Sequence, residues 1–274
     1  MLSVNTNTSA MTALQYLNAT SAQLSQTETA INSGLKIASA KDNGAVYAIA
    51  QTMRGNVAGY AAVSDSLNNG TSVVDTAMSA AQSISDLLIQ MKQNALSAAD
   101  SSLDTSSRTA LANDFSSMVQ QITTIVDNAS FNGINLLDGS RANGIAALAS
   151  ATDTSQKITV KSQTLTAAKL SITAAYAATA ATGASTMVGK VSTAISLVNG
   201  ALSALSAGSK KFSIQSNFVS QLSDTLTTGI GNLVDANMAQ ESALLTSLQT
   251  KQQLGVQALS IANQAPSIVL SLFK

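Results

Sequence analysis

The chain has 274 residues, with 14 basic and 14 acidic side chains, one Pro and no Cys, His or Trp. Balanced charge gives no electrostatic case for nucleic acid or an anionic membrane as partner, and the missing Cys and His remove thiolate chemistry, imidazole general bases and nearly all zinc-site designs. Five Phe and four Tyr among abundant Ala, Ser, Thr and Leu suit close helix packing, and a single Pro leaves room for very long helices.

Residues 1–40 carry Glu28 and Lys36 as their only charges, and Ala10, Leu14, Leu17, Leu24 and Ile31 predict a first helix. Met1 to Thr8 is polar and the first basic residue is Lys36, so no classical export signal is expected. A charged, Gly-containing break from Ser39 to Ile49 predicts an interhelix loop at Lys41, Asp42 and Asn43, with Asp42 or Asn43 capping the next helix. Apolar positions then step by three and four through Val46, Ile49, Met53, Tyr60, Val63, Leu67, Val74, Ala77, Ala81, Ile84, Leu88, Met91 and Ala95, with only Asn56 and Gly70 breaking the rule. This is a coiled-coil seam of about seven heptads, or roughly 75 Å of helix. Ala99 to Asp104 predicts a turn. Beyond it Leu111, Phe115, Met118, Ile122, Ile125 and Ala129 predict a helix folding back as a hairpin, its start capped or braced by Asp104 and Arg108.

Phe131 to Ser140 carries two Gly turn signals around a short apolar patch. Arg141 to Thr186 is Ser/Thr-rich and weakly hydrophobic, the expected solvent-facing insertion. Within it Lys157 to Ile172 alternates at Ile158, Val160, Leu165, Leu170 and Ile172, which predicts a small β-hairpin or irregular strands, and Ala174 to Gly183 is low-complexity. A third seam runs through Val188, Val191, Ile195, Val198, Leu202, Leu205, Phe212, Val219, Leu226, Ile230 and Leu233. No unbroken run of eighteen apolar residues is present, so no membrane span is expected.

From Val234 onward only Asp235, Glu241, Lys251 and Lys274 are charged. A terminal helix cannot bury so apolar a surface on itself, and burying about ten large apolar side chains contributes on the order of 15 to 30 kcal/mol before entropy is subtracted. The two ends are therefore expected to meet each other and other copies, through Leu14, Leu17, Leu24, Ile31, Met238, Leu245, Leu248, Leu259, Leu270 and Phe273. The expected fold is mainly α, a long antiparallel coiled-coil-like helical bundle from both chain ends with a small β-hairpin or irregular insertion in the middle.

Asp235 and Glu241 are read as a solvated or inter-subunit polar contact rather than an acid–base pair. Asn-Gly pairs at Asn69, Asn132 and Asn143 follow no phosphate-binding fingerprint. Met53, Met91, Met118 and Met238 lie on or near the stripes as core filler. No catalytic, cofactor or metal site is expected.

The segment Ile31 to Gly44, followed by Ala48-Ile49-Ala50, resembles the signature near the amino end of bacterial flagellins. Phe131-Asn132-Gly133 with Leu136-Leu137 resembles the turn closing their amino-terminal helical hairpin. Val234 to Glu241, Gln252, Ala262-Asn263-Gln264, Pro266 and Leu270-Ser271-Leu272 resemble their carboxy-terminal helix. The resemblance implies a structural subunit of the swimming filament, with residues 1–43 and 234–274 forming an inner tube (D0-like), 44–140 and 187–233 an outer tube of heptad helices (D1-like), and 141–186 a surface insertion. It also implies secretion unfolded through the flagellar type III apparatus, assembly at the distal tip and a place in the extracellular filament. The implied partners are further copies, other flagellins, hook-associated and cap proteins and an export chaperone, without nucleic acid or membrane. Flagellins often carry O-linked sugars, which makes Ser140, Ser150, Thr152, Thr154 and Ser155 acceptor candidates. Two departures matter: no large variable outer domain is present, and Gln90 and Asn94 stand where many enteric flagellins carry the arginine and leucine of an innate-receptor site, so that site is not carried over. Alternatives are a hook–filament junction protein of the same superfamily, which departs more from the 31–50 and 234–272 patterns, and a secreted adhesin or signalling ligand, which needs an exposed recognition patch.

Overall fold

A computed structural model describes residues 6–173 and 181–271, the side chains of 265–271 excepted. Phe273 and most of the low-complexity Ala/Thr run lie outside the described residues, and Leu270 is described by its backbone alone. Five helices and four short strands follow in the order α1 (Thr8–Ser33), α2 (Gly44–Ala98), α3 (Thr105–Asn128), β1 (Ser130–Phe131), β2 (Ile134–Asn135), β3 (Ile145–Leu148), β4 (Lys157–Val160), α4 (Ala181–Val234) and α5 (Met238–Ser271). The fold is mainly α with small strands in the middle, as the periodicity predicts. The chain divides into two compact units, one formed by residues 1–55 with 225–274 and the other by 56–224.

The unit of residues 56–224 is built on the long seam. Val63, Leu67, Val74, Ala77, Ala81, Ile84, Leu88, Met91 and Ala95 of α2 are all buried in one core, because a step of three and four returns each to the same side of the helix. The turn after α2 falls where expected and is closed by Arg108. Its guanidinium is buried and donates to the carbonyls of Ala98 (3.0 Å), Asp100 (2.9 Å) and Leu103 (3.1 Å). Asp104 caps α3 by accepting from the Ser107 N–H at 3.2 Å.

On α3 and α4 the buried stripe is broader than a strict heptad and partly displaced. Phe115, Ile122 and Ala129 are buried as expected, but Ala112, Val119 and Val126 take the core positions between them, leaving Leu111, Met118 and Ile125 half-buried. On α4 the shared positions are Val191, Val198, Leu205, Phe212 and Val219, and the second row is Met187, Ala194 and Ala201 rather than Val188, Ile195 and Leu202. A helix packed against more than one neighbour buries a wider arc than a two-stranded seam. By length and composition α4 could also cross a membrane, contrary to the expectation from unbroken runs, yet Val191, Val198, Leu205, Phe212 and Val219 here lie in the core.

The middle segment corrects two expectations. The hairpin joins β3 to β4, pairing Ile145 with Val160 and Leu148 with Lys157, so its first strand precedes the alternating segment; Leu165, Leu170 and Ile172 form no strand. Nor is the segment wholly solvent-facing, because Ile145, Ala147, Val160, Leu165, Leu170 and Ile172 are all buried. Close approach decides this: a Cβ added to Gly208 of α4 would lie 2.7 Å from the Val160 methyls, so only glycine admits the strand there. The Phe131–Ser140 motif is a two-residue hairpin with Asn132 (φ 49°) and Gly133 (φ 72°) in the left-handed region, the geometry that Asn-Gly favours. Buried Asn135 ties it to α3, donating to the Val126 carbonyl and accepting from Leu137 N–H.

Candidate assembly surface

The unit formed by the chain ends starts from a clasp. α1 ends at Gly34 in the left-handed conformation (φ 71°), the backbone state in which a glycine commonly stops a helix. The Lys36 and Ile37 N–H groups donate to the Val234 carbonyl at 2.7 and 3.3 Å, and Ala236 N–H donates to Gly34 at 2.9 Å. Leu35 and Asp235 thereby form an antiparallel bridge. Interhelix geometry follows: α1 and α5 leave the clasp side by side and antiparallel, and at the far end Asn7 meets Ala262.

Asn7 works twice. Its Oδ1 caps α1 by accepting from Ala10 N–H at 3.0 Å, while its Nδ2 donates to the Ala262 carbonyl at 2.7 Å. Pro266 has no N–H to offer the carbonyl four residues before it, and the neighbouring helix supplies the missing donor. Further along, a Cβ on Gly255 would lie 3.2 Å from Leu17 Cδ1, so the helices are in contact at mid-length.

The interhelix loop is organised by Asp42 and capped by Asn43. Asp42 Oδ2 accepts from Ala38 N–H (3.1 Å), Ser39 N–H (2.9 Å) and Ser39 Oγ (3.1 Å), and these bonds, those of Ser39 foremost, hold its carboxyl below the ordinary value of 3.8. Asn43 Oδ1 accepts from Val46 N–H at 3.1 Å, so of the two candidates Asn43 caps α2. Lys41 is exposed.

The residues expected to bind other copies fall into different environments. Leu248 is 1% exposed within this unit, and Leu17, Leu24, Ile31, Leu245 and Leu259 are half-buried. Leu14 and Met238 are exposed. Exposed alongside them are Met11, Tyr16 (71%), Leu244, Leu254, Val256 and Ile261 (65%), an outward apolar set on both helices that single-stripe reasoning missed. The signal was present as apolar residues lying off the stripe, which marks a helix with two apolar faces.

Exposed large side chains on two paired helices mark a candidate interaction surface. Residues 4–142 match the family model described as the bacterial flagellin N-terminal helical region, and residues 188–273 match the bacterial flagellin C-terminal helical region. This chain belongs to the bacterial flagellin family. Flagellin FljM of Caulobacter vibrioides is 47% identical to it over 99% of this chain and 98% of the relative. A flagellin of Brucella melitensis is 37% identical over the full length of both. As a flagellin, the chain is a structural subunit that polymerises into the bacterial flagellar filament used for motility.

The glycan candidates lie on or beside the hairpin. Ser140, Thr152, Thr154 and Ser155 are exposed and Ser150 is half-buried. Ser150 Oγ accepts from the Thr152 and Asp153 N–H groups, and Ser155 Oγ donates to Asp153 Oδ1. Thr154 Oγ1 makes no hydrogen bond among the described residues.

Proposed function

We propose that the paired terminal helices form the inner wall of the filament and the heptad unit its outer wall, each subunit meeting its neighbours through Leu14, Met238 and the outward set around Tyr16 and Ile261. Half-buried Leu17, Leu24, Ile31, Leu245 and Leu259 border the same surface, and Leu270 and Phe273, whose side chains lie outside the described residues, are assigned to it from the sequence alone. One observation carries this reading: both terminal helices expose large apolar side chains on the faces they do not use on each other. Covering about eight such side chains contributes on the order of 12 to 24 kcal/mol before ordering costs, ample for assembly.

The finer partition follows the same logic, with 1–43 and 234–274 inside, 44–140 and 187–233 outside them, and 141–186 toward solvent. In this reading the subunit is exported unfolded by the flagellar type III apparatus and resides outside the cell. Its partners are copies of itself, other flagellins, the hook-associated and cap proteins and an export chaperone. The outward hydroxyls, Thr154 before the others, are the glycan acceptors, and no catalysis is assigned to the chain. Removing residues after Leu233 tests the interface: the truncated chain should fail to extend sheared filament seeds while retaining the helical signal of its heptad unit, and long filaments from it would overturn the reading.

A further inference from the structure

The unit of residues 56–224 carries two features on its surface. The first is a row on α4. Leu197, Ala204, Lys211 and Phe218 recur every seven residues with Ile214 beside them, and all five are exposed, Ile214 at 70% and Phe218 at 54%. This is a second row, about 100° around the helix from the core row of Phe212 and Val219. The second feature is a groove of about 440 Å³ between α2 and the two hairpins. Buried Val73, Ile145 and Ala147 line it, with Asp65, Asn69 and Phe131 at its exposed margin.

Groove and row flank the same strand end. Leu148 N–H donates to Ser66 Oγ of α2 at 3.1 Å, and Gln215 Nε2 of α4 donates to the Ala149 carbonyl at 2.8 Å. The hairpin is thus clamped between the two helices, the groove opening on the α2 side and the row on the α4 side. One copy cannot place its own row in its own groove. The charges are complementary: Asp65 is exposed at the groove, and Lys211 is exposed in the row with no acidic partner among the described residues.

We propose that Phe218 and Ile214 of one copy seat in the α2–hairpin groove of the next, with Lys211 facing that copy's Asp65. Because row and groove are different surfaces, the contact is heterologous and propagates instead of closing into a two-fold dimer. This inference rests on the filament reading and specifies a contact outside the terminal helices.

The test uses the full-length chain and the steady-state critical concentration for polymerisation. Phe218→Ala and Ile214→Ser should each raise it, Phe218→Ala on the order of thirtyfold, as expected for an aromatic anchor. Asp65→Lys and Lys211→Asp should each raise it about tenfold, and the double swap should return it close to wild type, since every copy then carries the reversed pair. All these positions are exposed, and unchanged monomer helicity checks that folding is intact. If wild type polymerises and Phe218→Ala and Ile214→Ser match it, or the double swap is as defective as the single ones combined, this contact is wrong. If wild type itself does not polymerise, the filament reading fails and takes the contact with it.

Discussion

Asn7 links two helices whose partners in this bond are separated by 255 positions in sequence. Its carbonyl oxygen serves α1 and its amide serves α5, so replacing it with alanine removes a cap worth about 1 kcal/mol and leaves the Ala262 carbonyl short of a donor, worth about 1 to 3 kcal/mol more if that group stays out of water. Asn7→Ala should therefore accelerate amide hydrogen exchange in the first turns of α1 and around Ala262. The Pro266→Ala chain regains an N–H for Ala262, so Asn7→Ala in that background should cost only the cap. Equal effects in both backgrounds would separate Asn7 from the proline. Arg108 shows the same economy in the other unit, one buried guanidinium answering three carbonyls at a turn. Neither side chain is apolar, and although Arg108 continues the buried row of Ala112, Phe115, Val119, Ile122 and Val126, a hydrophobic period says nothing about the carbonyls such a polar group meets.

At the scale of the helix, α1 and α5 each have an inward and an outward apolar face. Leu248 faces inward, so Leu248→Asp buries an unpaired charge at a cost of about 3 to 5 kcal/mol and should reduce the helix content of the isolated subunit as well as its assembly. Ile261 faces outward, and Ile261→Asp should leave the monomer within about 0.5 kcal/mol of wild type while blocking elongation. Circular dichroism of the monomer with seeded growth separates the two effects. An unperturbed Leu248→Asp monomer, or normal filaments from Ile261→Asp, would show that the faces are exchanged. From the sequence Leu248 was expected among the residues that meet other copies and Ile261 was left out, because a helix apolar over much of its circumference does not show which of its apolar residues its partner covers.

For the molecule as a whole, the middle segment anchors one side to the core and turns the other outward. Val160 and Ile145 are buried, while Thr152, Thr154 and Ser155 project from the connection between β3 and β4. A charge at that connection meets solvent, so Thr154→Asp should leave monomer stability and filament growth at wild-type levels. Secreted protein with an intact mass above the 27.8 kDa of the sequence, reduced by Thr154→Ala, would place a glycan there; a mass equal to the sequence mass excludes one. The composition of 141–186 suggested a solvent-facing insertion because it is rich in Ser and Thr and weakly hydrophobic. Its few apolar residues suffice to pin it, since Gly208 lets the strand approach α4 closely.

By itself the sequence determined the helical class, the α2 seam from Val63 to Ala95, the turn before Asp104 and the resemblance at both ends to flagellins. Each is a local signal: a period, a cap, a motif, readable because it needs only neighbours within a few turns. Only the tertiary structure decided which row of α3 and α4 is innermost, which apolar residues of α1 and α5 turn inward, and that Asn7 answers the proline of another helix. Those outcomes depend on where a partner helix lies around the circumference, and a helical period of 3.6 residues fixes the spacing of a face but not the direction from which its partner approaches.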